Sequence, residues 1–486
     1  MNGSGVSPVS RKRIFKNTLA LSIPSVLNPL ISFVLVLIIS RHLGVQGLGR
    51  YSLVFAYQGI FATLAILGLD HLVVREAAKR PDSIHVLFFN AGLFGTASSI
   101  VSFLAMNLIM VAMGYETEVV QAGFICSLSL AASTAIGYME AIFRSVEKAE
   151  YVTYTYLPEN LLRVALCVVL ILSGYGIVAV FAAILGSRIF AALIMLVFYV
   201  KVLGRPGMRF DWSVWRLLAV EAPTFASIAV FSTIHLSLDQ IMLSKLQSVD
   251  AVGVYSAADR LLAICRTTPV AFAAALLPVF TREYLVGVPQ LRKLTVDSLR
   301  YLFIATIPVA VGTAILADPI TTLIYGAKFV DSVSVLALHI FSLIPFSMAF
   351  VLAQVLIATN NQRVDLATNI AAALINFSLN MVFIPMWSAW GAALATLITV
   401  VVFNQLQYWF IRQRLFPVAF TGLFLKPAAA TAVMACLTYS LRDWNVFLNV
   451  TLSAAVYFAA LLAVRGFSVE DTEFLKQLLK RGATRK

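Results

Sequence analysis

Leu43-Gly44-Val45-Gln46-Gly47-Leu48-Gly49-Arg50-Tyr51-Ser52 follows the first long apolar run of the chain, and part of it returns after the seventh as Ser248-Val249-Asp250-Ala251-Val252-Gly253-Val254-Tyr255-Ser256. Gly, Tyr and Ser recur 204 residues apart. Arg75-Glu76 is echoed by Arg282-Glu283 at a spacing of 207, and Pro24 by Pro223 at 199. Three matches in one order at nearly one spacing mark an internal repeat. The glycine runs Gly44-x-x-Gly47-x-Gly49 and Gly174-x-Gly176 lack a βαβ setting and are read as turns between helices.

Composition says what the repeated unit is made of. Of 486 residues, 60% are hydrophobic and 12% charged, with mean hydropathy +0.90. A soluble domain holds about 45–50% apolar and about 25% charged residues. Burial saturates as domains grow, so the solvent for most of this chain is lipid. Each crossing needs about 20 apolar residues, and only helices satisfy their own backbone in hydrocarbon. Spans are predicted near 17–40, 50–70, 84–113, 119–142, 154–173, 177–200, 217–244, 252–279, 299–317, 334–358, 366–386, 389–411, 424–441 and 446–464. The first run carries no signal-peptide cleavage pattern and is expected to stay as a helix. Cys126, Cys167, Cys265 and Cys436 all fall in apolar runs, without metal or disulfide spacing.

The net charge of +13 distributes by side. With the N terminus inside, inner segments carry 27 of the 36 Lys and Arg, outer segments five, and the spans four. That is the positive-inside pattern of a multi-pass plasma or inner membrane protein with both termini cytoplasmic. No basic stripe interleaved with aromatics suggests nucleic acid. Residues 469–480 place Phe474, Leu475, Leu478 and Leu479 on one helical face; a helix lying on the inner leaflet and a solvated tail both fit.

Six runs separate the repeated points, so both copies cross in one direction, as in transporters of two similar lobes related by an axis along the membrane normal. The expected fold is an all-α membrane protein of about fourteen transmembrane helices. Two parallel six-helix lobes would span residues 1–205 and 206–415, with a helix pair and cytoplasmic tail at 416–486.

The stretch from Leu43 to Ser52, then Leu67-Gly68-Leu69-Asp70 and Arg75-Glu76, resembles the N-terminal signature of polysaccharide flippases. Leu238-Asp239-Gln240-Ile241-Met242-Leu243 and Val252-Gly253-Val254-Tyr255-Ser256-Ala257-Ala258 also fit it. The resemblance is to the Wzx-type polysaccharide transport family. It belongs to the multidrug/oligosaccharidyl-lipid/polysaccharide (MOP) exporter superfamily, with the multidrug (MATE) exporters and MurJ lipid II flippases. It implies lobes facing a central cavity. It also implies flipping of a polyprenyl-pyrophosphate-linked oligosaccharide from the cytoplasmic to the outer leaflet, alongside polymerase and ligase machinery for surface polysaccharide.

An Arg or Asp at a helix centre costs about 2.5–3.5 kcal/mol, so those that persist face a cavity or a partner. Arg163, Arg188, Arg260 and Arg266 are candidate pyrophosphate anchors, because guanidinium stays charged and binds phosphate in bidentate fashion. Pairing with carboxylates is the alternative: Arg163 with Glu159, and Arg260 with Asp239 or Asp259. Arg188 has no acidic residue near it in sequence. His235 and Asp239, four apart on one helix, are candidates for coupling or gating, as is Asp70. Tyr57, Tyr138, Tyr154, Tyr156, Asn376 and Asn380 are candidate sugar contacts, with interhelical hydrogen bonding the alternative for the asparagines.

No Walker A, HExxH, GxSxG or Cys/His cluster is present, so no catalytic residue, cofactor or metal is expected. A multidrug or cation antiporter of the same fold would prefer acidic residues in its spans. A membrane-embedded polysaccharide polymerase would put acidic residues in a large outer loop, whereas residues 318–334 hold only Asp318 and Asp331.

Overall fold

The computed structural model describes residues 8–466; for residues 8–30, 81, 228, 230–232 and 234–236 only the backbone is described. The tail at 469–480 lies outside the described residues. All regular structure within them is helical: α1 Pro8–Ile66, α2 Asp70–Lys79, α3 Ile84–Ala112, α4 Thr117–Ser145, α5 Glu150–Leu172, α6 Ile177–Leu203, α7 Trp212–Leu246 and α8 Val249–Val286. There follow α9 Val288–Ile315, α10 Ala317–Tyr325, α11 Asp331–His339, α12 Leu343–Ala358, α13 Gln362–Arg414, α14 Phe420–Ser440 and α15 Val446–Ala463.

Two of these are each a pair of spans. Gly44, at φ 67°, breaks α1, and Ser388, at φ 51°, breaks α13. Taking each as two, joining α11 to α12, and setting aside the short α2 and α10 gives fourteen spans among the described residues. This is a multi-pass membrane protein, and the predicted count and positions hold. Two local expectations change. Gly47 and Gly49 sit inside the second half of α1, so only Gly44 turns the chain. The stretch 318–334 folds mostly into α10 and the start of α11.

The helices are built inside-out. Along α3, Asn90, Gly95, Ser99, Ser102, Met106 and Met110 are buried, while Ile100, Val101, Leu104, Leu108 and Val111 face outward. Lipid removes the hydrophobic drive between helices, so small residues and hydroxyls make the contacts. Ser99 donates to Thr134 Oγ1 at 3.1 Å, and a Cβ on Gly95 would lie 2.4 Å from the Tyr138 ring.

The chain forms two compact units, one ending at Ser256 and one beginning at Ala257. In the first, α4 packs on α3 and α6, α5 on α1 and α6, and α7 on α1 and α3. In the second, α12 packs on α9 and α13, and α14 joins α15 to α9.

Within the first unit the two copies of the repeated motif touch. A Cβ on Gly49 would lie 2.0 Å from the Val249 carbonyl oxygen; one on Gly253 would lie 2.1 Å from the Val45 carbonyl oxygen. The contacts are reciprocal at the 204-residue spacing, the signature of a two-fold-related crossing. Ser52 and Ser256, equivalent in the repeat, are both fully buried.

Replacing either glycine by alanine drives a methyl into a backbone carbonyl. Gly49→Ala and Gly253→Ala should each cost about 1–3 kcal/mol, as overpacked sites do, and couple non-additively as a double variant. Gly92→Ala, which meets nothing within 4 Å, should be neutral. Thermal unfolding in detergent checks all three.

Candidate functional site

In the first unit the charge is gathered around Glu159. Glu159 and Arg163 lie four residues apart on α5, on one face, and Arg188 reaches the same carboxylate from α6. Arg163 Nη1 is 3.8 Å from Glu159 Oε1, and Arg188 Nη1 is 3.7 Å from Oε2. Arg163 also donates to Asn160 Oδ1 at 2.5 Å and to Ser32 Oγ at 3.1 Å. Glu159 is 1% exposed. One carboxylate thus faces two guanidiniums, leaving one positive charge inside a span. Arg188 is therefore not without an acidic partner. That partner is 29 residues away on the preceding helix, where local sequence cannot show it.

In the second unit the carboxylate is Asp259 on α8. Its Oδ1 lies 3.8 Å from Arg266 Nη1 and 3.4 Å from Nε2 of His339, at the end of α11. His339 is fully buried. The Arg266 guanidinium stacks 3.9 Å over the Phe346 ring. Arg260, half-buried one residue beyond Asp259, has no carboxylate within 4 Å among the described residues. The alternative pairing of Arg260 with Asp239 or Asp259 is not made within 4 Å: Asp259 lies closest to Arg266 and His339, and Asp239 accepts from Tyr255 Oη at 2.7 Å. His339 escaped the sequence reading because a single histidine in an apolar run, 80 residues from its carboxylate, carries no local signal.

The remaining candidates scatter. The His235 side chain lies outside the described residues. Asp70 opens α2, with His71 at 3.9 Å. Near it Arg75 bridges Glu76 at 3.2 Å and Glu221 of α7 at 3.7 Å, and the Lys79 ammonium bonded to Glu76 holds that carboxyl below its usual range. Tyr57 is buried and hydrogen-bonds Tyr115 at 3.1 Å, which bonds Ser244 at 2.8 Å; Lys245 caps the Tyr115 ring. Arg50 clasps Glu116 and Glu118 at the same end of the helices. Tyr138 is buried in the core, its hydroxyl donating to the Ile66 carbonyl at 3.2 Å. Tyr154 is exposed, and Tyr156 donates to Glu140 at 3.1 Å. Asn380 donates to Asn376 at 3.0 Å along one helix, and both are buried.

The model for the polysaccharide biosynthesis protein family matches residues 14–283, and that for lipid II flippase MurJ matches residues 162–458. No curated protein matches the chain in sequence. Among solved structures, a lipid II flippase MurJ in an inward closed conformation superposes with a TM-score of 0.74 at 17% identity, covering 96% of this chain and 100% of that one. An inward-facing multidrug resistance MATE transporter of the MOP superfamily gives 0.68 at 17% identity, covering 82% and 98%. A MOP superfamily transporter from Pyrococcus furiosus Vc1, described by a reverse polarity of its binding pocket, gives 0.60 at 16%, covering 82% and 95%. At these identities the superpositions speak for the fold alone. Family matches that each span more than half the residues decide the rest: the chain belongs to the polysaccharide biosynthesis protein family.

Proposed function

We propose that the protein flips a polyprenyl-pyrophosphate-linked oligosaccharide from the cytoplasmic to the outer leaflet by alternating access, for cell-surface polysaccharide synthesis. The observation that carries this reading is that cationic side chains outnumber carboxylates at two clusters inside the spans. Glu159 is shared by Arg163 and Arg188, and Asp259 by Arg266 and His339, with Arg260 beside it. Membership of a family of transporters and flippases supports a carrier rather than an enzyme.

A pyrophosphate head must shed water to cross about 30 Å of hydrocarbon. Fixed guanidiniums replace that water with bidentate, charge-assisted bonds, which are about 2.7–2.9 Å long when well made. The ion pairs of Arg188 and Arg266 are longer, at 3.7 and 3.8 Å. Such loose pairs are weakly held, and an arriving phosphate can displace the carboxylate at small expense. Arg188, Arg260 and Arg266 are assigned this anchor role, and Arg163, fixed to Asn160 and Ser32, a supporting one. Tyr57, Tyr138, Asn376 and Asn380 remain the sugar-contact candidates, and Asp239, His235 and Asp70 those for coupling or gating. The lobes are assigned to residues 1–205 and 206–415, and polymerase and ligase machinery is the expected company. The antiporter reading asks for a carboxylate open to a cation; Glu159, Asp239 and Asp259 are each already held.

In proteoliposomes, wild type should flip a fluorescent undecaprenyl-pyrophosphate oligosaccharide. Arg188→Ala and Arg260→Ala should slow it at least about tenfold, equivalent to about 1.4 kcal/mol, with Arg260→Lys only partly restoring it because an ammonium cannot bind in bidentate fashion. Unchanged flipping in both alanine variants returns these residues to structure.

Arg163→Ala should act on stability instead. Among the described residues Arg163, unlike Arg188, also bonds Asn160 and Ser32, and leaving such groups without a partner costs about 1–3 kcal/mol, so the variant's melting temperature should fall below that of Arg188→Ala.

With both termini cytoplasmic, single cysteines placed before residue 8 and after residue 466 should be labelled only after the membrane is opened. Labelling of either end in sealed, right-side-out cells contradicts that orientation.

A further inference from the structure

Besides these sites, one end of the second unit carries a pocket that the proposed flipping does not use. Its volume is about 260 Å³, and it lies between α9, α14 and the end of α15. Arg300, Lys426 and Arg465 line it, one from each helical strand, with Gly422, Pro427 and Gly466 leaving room between them. No carboxylate is among the lining residues. Two of the cations are held in place: Arg300 by Asp297 at 3.2 Å, and Lys426 by donating to the Arg465 carbonyl at 3.0 Å. Lys426 keeps further N–H groups for a ligand, since an ammonium has three.

The same three helices also form an apolar crevice of about 340 Å³. Its wall begins at Ile304, one turn along α9 from Arg300, and includes Pro308, Met434, Val450 and Tyr457. Met434 and Tyr457 lie eight residues from Lys426 and Arg465, about 12 Å along their helices at 1.5 Å per residue. Positive charge at the helix ends and an apolar crevice deeper along the same helices match one class of molecule, which carries a phosphate beside an acyl chain. Basic pockets between transmembrane helices recognise such headgroups.

We propose that the Arg300–Lys426–Arg465 pocket binds the headgroup of an anionic glycerophospholipid of the surrounding bilayer, with an acyl chain along the crevice between α9, α14 and α15. The site is separate from the arginines assigned to the transported lipid. It makes the C-terminal helix pair a docking place for bilayer lipid.

The test titrates purified full-length protein in mild detergent with dioleoyl phosphatidylglycerol or dioleoyl phosphatidylcholine and counts adducts by native mass spectrometry. The phosphatidylglycerol should bind about tenfold more tightly, as expected for a few basic groups near a lipid phosphate. In Lys426→Gln/Arg465→Gln that preference should fall to parity, and Lys426→Arg should keep it. Equal binding of the two lipids by wild type overturns the proposal. So does a preference that survives in the double variant. Displacement of phosphatidylglycerol by millimolar inorganic phosphate would give the pocket to a free anion, which also overturns it. If the double variant melts below wild type, Arg465→Gln alone supplies the comparison and should lose part of the preference.

Discussion

Gly49 and Gly253 bring two helix backbones into contact, each glycine lying where a methyl group would strike the other helix's carbonyl. In lipid, helices gain nothing from hiding apolar surface from one another, so such close approach is among the few sources of specific attachment. The contact joins the second half of α1 to the start of α8, the equivalent elements of the two repeats. Because it is reciprocal, one geometry serves both copies of the motif. The break at Gly44 just upstream lets α1 leave the crossing as a separate span.

The second constraint is electrical. A charge in hydrocarbon needs a partner, and a carboxylate with one guanidinium would meet that need with nothing to spare. Both units go further. Glu159 is set against two arginines, and Asp259 against an arginine and a fully buried histidine with another arginine adjacent. Partial neutralisation keeps the folded protein tolerable in lipid and, in the proposed function, leaves positive charge for the pyrophosphate.

The sequence made the helices legible because lipid imposes one solution on each long apolar run, and span positions follow from length alone. It made the repeat legible because Gly, Tyr and Ser stand at fixed spacing. Partnerships across helices were hidden. Glu159 and Arg188 are separated by a whole turn-around between α5 and α6, and Asp259 and His339 by most of α8, α9 and α10. Local spacing correctly paired Arg163 with Glu159 and put Asp259 beside Arg260, but could not show that Arg266 and His339 are the groups within 4 Å of that carboxylate. Glycines read as a turn proved to be a packing surface, because a glycine needed for φ > 0 and one needed for close approach look alike in sequence.

The sign of the charge that these spans accept is the central claim, and it can be measured without transport. Purified protein in nanodiscs is titrated with undecaprenyl pyrophosphate and, separately, with tetraphenylphosphonium, following binding by calorimetry. The account predicts saturable binding of the pyrophosphate, weakened in Arg188→Ala and Arg260→Ala, and none of the cation. Saturable binding of the cation, with no binding of the pyrophosphate, would contradict it.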